Sequence, residues 1–179
     1  MKFQLVTKPE TYKEICDIVQ DRFDITSNNP DFIITVGGDG TILKSERIYP
    51  GIPKITFRKS DVGSKCRYLL DDINEVLDKV INNKYYIIKE PKISAYSNMI
   101  ALNEIQLHNK SPISAIRFSI EVNNKILFNN VIGDGVIIAT PFGSTGYYYS
   151  AGGRPFVNRI GIVLNNPYAT DKDYWKSAV

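Results

Sequence analysis

Residues 37–41, Gly-Gly-Asp-Gly-Thr, place one carboxylate among three glycines, directly after an apolar run. Glycine permits backbone conformations and close approaches that a Cβ would block. An acidic side chain at the start of a helix also complements the helix dipole. The string therefore has two interpretations. It is either a capped strand-to-helix turn, or a phosphate-handling loop whose acid, Asp39, binds a metal or acts as a base.

A second glycine-rich region lies in the C-terminal half and opens with another acid between glycines, Asp134. Segment 140–147 follows and is dense in hydroxyl-bearing and small residues. Ser144 or Thr145 is expected to cap a short helix, whose first backbone N–H groups would attract phosphate or the polar edge of a nucleotide. Tyr147 would offer an aromatic face to a base. A well-capped helix without a ligand explains this segment equally well.

Between the two regions, a strand pattern carries an adjacent amide and carboxylate, Asn103 and Glu104, which are either functional or simply solvated. Neither the Walker loop nor the GxGxxG dinucleotide pattern occurs, which disfavours simple Rossmann hydride chemistry. His108 is the only histidine, so a catalytic triad has little support. Cys16 and Cys66 form no zinc-binding spacing and are expected to be reduced thiols.

The composition is that of a globular protein: 179 residues, 43% hydrophobic and 23% charged. The net charge of +3 is spread along the chain, which fits an anionic small molecule and gives no indication of nucleic acid as a partner. No signal-peptide core or run of transmembrane length is visible in the sequence. We therefore expect a cytoplasmic protein without a membrane partner.

Apolar spacing predicts alternating helices and strands in the first half, which is typical of a parallel α/β sheet. The helices are expected at Tyr12–Phe23, Thr41–Tyr49 and Asp71–Ile81, and the strands at Asp31–Val36 and Ile52–Phe57.

The second half reads as mostly β, with a hairpin that turns at Asn123-Asn124. The hairpin strands are expected at Ile116–Val122 and Lys125–Phe128, and further strands at Tyr85–Lys89, Asn98–Leu107, Val131–Ala139 and Ile160–Leu164. This change of character predicts two domains, residues 1–90 with the glycine-rich loop and residues 91–179.

Three motifs in this order resemble the NAD kinase family: GGDGT at 37–41, Asn103-Glu104, and DG…TPxGSTxYxxSAGG at 134–153. The resemblance runs from about Asp31 to about Leu164. GGDGT alone is shared with phosphofructokinases and diacylglycerol kinases. A lipid or sugar kinase of that wider superfamily would leave the long third motif unexplained.

The resemblance implies an α/β N-terminal lobe with a parallel sheet, followed by a mostly β, NAD-binding C-terminal lobe that is shortened at its end. It implies an enzyme that moves a phosphoryl group from ATP or polyphosphate to the 2′-hydroxyl of the adenosine ribose of NAD, giving NADP. Mg²⁺ or another divalent metal would assist, with ligands left unassigned. A homo-oligomer, either dimer or tetramer, is also implied.

Carried onto this sequence, Asp39 would activate the ribose hydroxyl or organise the metal-phosphate complex. The resemblance also assigns a binding role to ten further residues. Gly37, Gly38, Gly40 and Thr41 would shape the phosphate loop, Asn103 and Glu104 would contact ribose hydroxyls, Asp134 would bind NAD across a subunit boundary, and Thr145, Tyr147 and Ser150 would surround the adenine.

Some positions depart from the family pattern. Phe142 stands where a Thr or Ser is usual, and Gly146 where an Ala is usual. Segment 55–69 is unusually basic, and its Arg58, Lys59, Lys65 and Arg67 either grip donor phosphates or belong to a solvated loop. These departures and the shortened end keep one alternative open, a catalytically inactive NAD-binding relative acting as sensor or assembly partner. A compact enzyme, in contrast, would compensate for the shortened end by oligomerising and burying Tyr174 or Trp175 against a partner.

Overall fold

The computed structural model describes residues 1–59, 61, 63–96 and 98–168. Tyr174 and Trp175 lie outside the described residues. The chain divides into two compact units, with the division between Ile88 and Lys89. None of the helices in the described part of the chain combines the length and apolar character needed to cross a membrane.

The first unit is built on a five-stranded, fully parallel sheet in the order β2-β1-β3-β4-β5. Its strands are β1 Lys2–Thr7, β2 Asp24–Ile25, β3 Phe32–Val36, β4 Lys54–Arg58 and β5 Tyr68–Leu69. Its helices are α1 Pro9–Gln20, α2 Asp39–Ile48 and α3 Ile73–Ile81, the last preceded by a 3₁₀ turn at Leu70–Asp72. The predicted α/β lobe with a parallel sheet is confirmed.

The core of this unit follows from the sequence pattern. All five residues of β3 are buried, as expected for a central parallel strand covered on both faces. Helix α3 buries Ile73, Val76, Leu77 and Val80, which share one face at helical spacing. Helix α1 begins earlier than the apolar spacing indicated, because Pro9 fits the first turn, where its missing N–H costs no hydrogen bond.

The second unit contains antiparallel sheets, β12-β11-β8, β10-β9 and β6-β7, which confirms its mostly β character. Its strands are β6 Ile93–Ala95, β7 Met99–Ala101, β8 Glu104–His108, β9 Ile116–Val122, β10 Lys125–Gly133, β11 Gly135–Ala139 and β12 Gly161–Asn165. A 3₁₀ turn at Gly143–Thr145 and the short helix α4 Tyr147–Ser150 lie between β11 and β12.

The predicted hairpin is confirmed, with Asn123 and Asn124 both at positive φ, 52° and 62°. That geometry matches the twist of the flanking strands. The strand predicted at Tyr85–Lys89 is wrong: this segment is irregular, and the Tyr85 ring packs edge-on against Phe32 instead. A side-chain anchor thus replaces a hydrogen-bonded ladder there.

Candidate functional site

Asp39 is the first residue of helix α2, at the carboxyl edge of the parallel sheet. The Gly37 N–H donates to the Phe57 carbonyl (2.9 Å), which ties the end of β3 to the neighbouring strand β4. Gly38 caps the helix in an extended conformation, and the Thr41 N–H donates to its carbonyl (2.9 Å). The remaining first-turn N–H groups and the helix dipole make this a local environment that favours anions.

Two of the loop glycines have different reasons to be glycine. Gly37 has φ +156°, and a Cβ there would lie 2.2 Å from Thr41 Oγ1, so the fold itself excludes a side chain. A Cβ on Gly40 would have no atom of the described residues within 4 Å, beyond its chain neighbours and the backbone of its own helix. Packing therefore does not require glycine at Gly40, and its backbone is open to the close approach of a ligand.

The Asp39 carboxylate is held by a turn that sequence reasoning missed. The Lys65 backbone N–H donates to Asp39 Oδ1 (2.9 Å), and Ser64 Oγ donates to Asp39 Oδ2 (3.2 Å). Parallel topology offered a usable signal, because loops that follow adjacent strands meet at the same edge of the sheet. Residues 59–67 follow β4, the neighbour of β3.

The basic residues of this segment are engaged within the first unit. The Lys59 ammonium pairs with Glu14 (2.6 Å), and the Arg58 guanidinium donates to the Asp61 carbonyl (3.4 Å). Both contacts are solvent-exposed and therefore weak. A phosphate ligand could displace them at small cost, so a role in gripping donor phosphates stays a prediction.

In the second unit, Asn103 and Glu104 are positioned by the turn that follows β11. The Thr140 N–H donates to the Asn103 carbonyl (2.8 Å), and Thr140 Oγ1 donates to the Leu102 carbonyl (2.5 Å). The same hydroxyl accepts the Gly143 N–H (3.1 Å). A Cβ on Gly143 would lie 2.2 Å from the Asn103 carbonyl oxygen. Backbone therefore packs directly on backbone, which fixes the start of β8.

Two side-chain oxygens of this pair are buried without a hydrogen-bond partner among the described residues: Asn103 Oδ1 and Glu104 Oε2. Burial raises the pKa of Glu104, and a hydrogen bond with Gln106 opposes that shift. A Cβ on Gly146 would lie 3.6 Å from Asn103 Nδ2 and 3.8 Å from Glu104 Oε2. The pair therefore faces Gly146 and has unused capacity to accept hydrogen bonds from hydroxyl groups.

Thr145, Tyr147 and Ser150 lie on the exposed side of the 3₁₀ turn and helix α4. The expected N-cap at Ser144 or Thr145 is wrong. Gly146 precedes the helix without a side-chain cap, and Ser144 Oγ instead contacts the Pro141 and Phe156 carbonyls (2.8 and 3.2 Å).

Asp134 lies at the opposite end of β11 from Asn103 and Glu104. The next residue, Gly135, begins β11 and pairs with His108, whereas Ala139 ends β11 and pairs with Glu104. At about 3.4 Å per residue, the two ends are about 14 Å apart. Amides of Asn109 and Asn166 donate to the two Asp134 oxygens (3.1 and 2.9 Å). Within this unit, the structure does not bring Asp134 together with the Asn-Glu pair.

Comparison with known proteins relates this arrangement to one family. The family model for the ATP-NAD kinase C-terminal domain matches residues 102–174. The bifunctional NADP phosphatase/NAD kinase of Methanocaldococcus jannaschii is 39% identical over 157 residues, and the NAD kinase of Sulfurisphaera tokodaii is 36% identical over 152 residues. The chain is related to the NAD kinases.

The fold agrees with this relationship. The structure of an NAD kinase from Archaeoglobus fulgidus in complex with ATP matches with a TM-score of 0.86 and 27% identity, covering 100% of this chain and 76% of that one. The two sequence relatives are matched over 82% and 81% of this chain. This chain spans 27% of the length of the first and 59% of the length of the second.

Proposed function

We propose that the protein is an NAD kinase, which transfers a phosphoryl group from ATP or polyphosphate to the 2′-hydroxyl of the adenosine ribose of NAD. In this proposal the first unit presents the phosphate loop, Gly37–Thr41. The second unit supplies the groups that recognise NAD, with Thr145, Tyr147 and Ser150 around the adenine.

The observation that carries the proposal is the pair of unused oxygens, Asn103 Oδ1 and Glu104 Oε2. A buried polar atom without a partner is unfavourable, so a ligand that donates hydrogen bonds to both atoms gains affinity. A ribose diol has two adjacent hydroxyl groups that can donate to this pair. Glu104 would bind it as the carboxylate, since charge-assisted hydrogen bonds are the strong ones.

Asp39 would accept the proton of the 2′-hydroxyl, which is a poor nucleophile at neutral pH. Each carboxylate oxygen has two acceptor positions. Ser64 and Lys65 occupy one on each oxygen, which leaves a second for the acceptor hydroxyl. Phosphoryl transfer depends on alignment and charge neutralisation more than on covalent chemistry, and a fixed carboxylate at a helix N-terminus meets that need.

Mg²⁺ fits the residues present. No group of three or more His, Cys, Asp or Glu side chains gathers as a metal cage in the described residues. Mg²⁺ commonly binds one or two carboxylates together with substrate phosphates and water, so Asp39 and the donor phosphates would suffice to hold it. When bound, the ion would offset negative charge on the donor phosphates.

We further propose a cytoplasmic homo-oligomer, dimeric or tetrameric, that has neither nucleic acid nor a membrane as partner. The position of Asp134 supports the oligomer. Asp134 is five residues along the chain from Ala139, the partner of Glu104, which is about 17 Å of strand. Its carboxylate is oriented by Asn109 and Asn166. Because the Asp134 carboxylate is fixed by two hydrogen bonds and lies far from the Asn-Glu pair of its own chain, it is suited to the NAD site of a second copy.

The test is NADP formation by the purified protein with NAD, Mg²⁺ and either ATP or polyphosphate. Asp39→Asn should lower kcat by about 10²–10⁴-fold, because it removes the proton acceptor and keeps the shape of the side chain. Asp71→Asn, an exposed acid in the same unit, is the matched control and should retain wild-type turnover.

Each result decides between interpretations. Loss of activity in Asp39→Asn alone would support the kinase and the role of Asp39. NAD binding without turnover by either donor would favour an inactive NAD-binding relative. Absence of both binding and turnover would reject the proposed function.

A further inference from the structure

The turn Gly63–Cys66 makes three hydrogen bonds to the phosphate loop. Lys65 N–H and Ser64 Oγ donate to the two oxygens of Asp39, at 2.9 and 3.2 Å. Cys66 Sγ donates to the Gly37 carbonyl at 3.2 Å. The turn is closed by the Cys66 N–H on the Gly63 carbonyl (3.3 Å). One short segment thus holds both the backbone of the phosphate loop, at Gly37, and its carboxylate, at Asp39.

Local chemistry explains why this turn can approach so closely. Gly63 has φ +120°, and a Cβ there would lie 3.2 Å from the Cα of Gly38, so only glycine lets the two backbones meet. Burial raises the pKa of the Cys66 thiol first, and the negative charge of Asp39 raises it further, against the opposing effect of Arg58. Cys66 is therefore a neutral thiol that can donate to Gly37.

We propose that Ser64 and the Lys65 amide are positioning groups for phosphoryl transfer, which fix the Asp39 carboxylate so that its remaining acceptor positions point in one direction. This inference rests on the proposed function and extends it to a segment outside the three recognised motifs. Lys65 contributes through its backbone, so Ser64 is the position at which side-chain substitution tests the idea. An aspartate held at only one oxygen can rotate about its side-chain bonds, and misorientation of a reacting group lowers the rate of the bound complex.

The kinetic experiment compares Ser64→Ala and Ser64→Thr with the wild-type protein. Ser64→Ala should lower kcat by about 10-fold with little change in the KM for NAD, since orientation is lost and binding groups are retained. Ser64→Thr keeps the hydroxyl and should restore most of kcat. Ser27→Ala, an exposed serine in the loop after β2, is the matched control and should leave both constants unchanged. Wild-type kcat in Ser64→Ala, or no rescue by threonine, would overturn the proposal.

A second readout does not depend on activity. The Lys65 amide should exchange slowly with D₂O in an NMR measurement on the wild-type protein. It should lose protection in Asp39→Ala and keep it in Asp39→Asn, whose amide oxygen still accepts the hydrogen bond. Equal protection in wild type and Asp39→Ala would reject the contact whatever the enzyme does. A protected amide in a protein without turnover would reject the kinase and leave the contact established.

Discussion

Glu46 and Lys54 form an ion pair that is almost removed from solvent, with side chains 13% and 10% exposed. The Lys54 ammonium also donates to the carbonyls of Tyr49 and Ile52 (2.7 and 2.8 Å), and Glu46 Oε1 accepts the Gly51 N–H (2.8 Å). The pair therefore ties the end of α2 to the start of β4. Glu46→Gln keeps the shape and the Gly51 acceptor but removes the negative charge that Glu46 presents to the ammonium.

The expected loss is about 3 kcal/mol, the lower end of the range for breaking a buried pair by removing one partner. That is a large share of the roughly 5–15 kcal/mol that stabilise a typical domain. The matched control is Glu75→Gln in the exposed pair with Lys79, whose side chains are 69% and 55% exposed. It should cost no more than about 0.5 kcal/mol.

Native-state hydrogen exchange of the β3 and β4 amides is the suitable assay, because it reports the first unit alone in a chain of two units. The double variant of Glu46→Gln with Lys54→Met should lose less stability than the sum of the losses in the two single variants, because it removes both charges together. Similar losses for Glu46→Gln and Glu75→Gln would refute the reasoning, because burial would then have no measurable consequence.

Further predictions concern buried polar groups and the thiol beside Asp39. Tyr148 is fully buried, and its hydroxyl has no hydrogen-bond partner among the described residues. Tyr148→Phe should therefore raise the free energy of unfolding by about 1 kcal/mol in chemical denaturation. A decrease of about the same size would mean that the hydroxyl makes a hydrogen bond in the folded protein. Burial raises the pKa of Glu104, so the native state binds the Glu104 proton more tightly than the unfolded state does. The contribution of Glu104 to the free energy of unfolding therefore falls as the pH rises from its ordinary pKa through its raised pKa. Glu104→Gln should remove that dependence in melts at several pH values and stabilise the free protein at neutral pH by up to about 1 kcal/mol, while weakening NAD binding in calorimetry; unchanged NAD affinity would contradict its role. Asp39→Asn should speed the alkylation of Cys66 by iodoacetamide at pH 8, since the carboxylate charge raises the pKa of that thiol, with Cys16 as internal control in mass spectrometry; equal acceleration at both thiols would point to loosening of the fold.

Much of the fold could be predicted, because its central elements carry strong periodic patterns. The buried run of β3 and the apolar face of α3 are each long enough to read from the chain alone. The edge strands β2 and β5 have two residues each, too few for any periodicity. The error at Tyr85–Lys89 has a related cause, since an apolar run cannot reveal whether its partner is a strand or a single aromatic ring.

The candidate site was predicted only where its residues lie inside motifs. Asp39 and the Asn103-Glu104 pair stand in recognisable strings, whereas the contact of Ser64 and Lys65 with Asp39 joins residues 25 and 26 positions apart. No local pattern marks such a contact, and only the parallel order of β3 and β4 could have pointed to it. Likewise, the distance of Asp134 from the Asn-Glu pair follows from the register of β8 with β11, which is a property of the assembled sheet.

Positive backbone φ angles are divided between two residue types in the described part of the chain. Every non-glycine residue with positive φ is an asparagine, with φ from 46° to 64°, whereas the glycines with positive φ lie between 77° and 156°. Asparagine tolerates the left-handed helical region, and only glycine reaches beyond it. Each asparagine also leaves the unfolded chain less conformational freedom than a glycine would. The asparagines in these turns therefore stabilise the protein by restricting its unfolded state. Replacing them by glycine should lower the free energy of unfolding even where every native contact is kept.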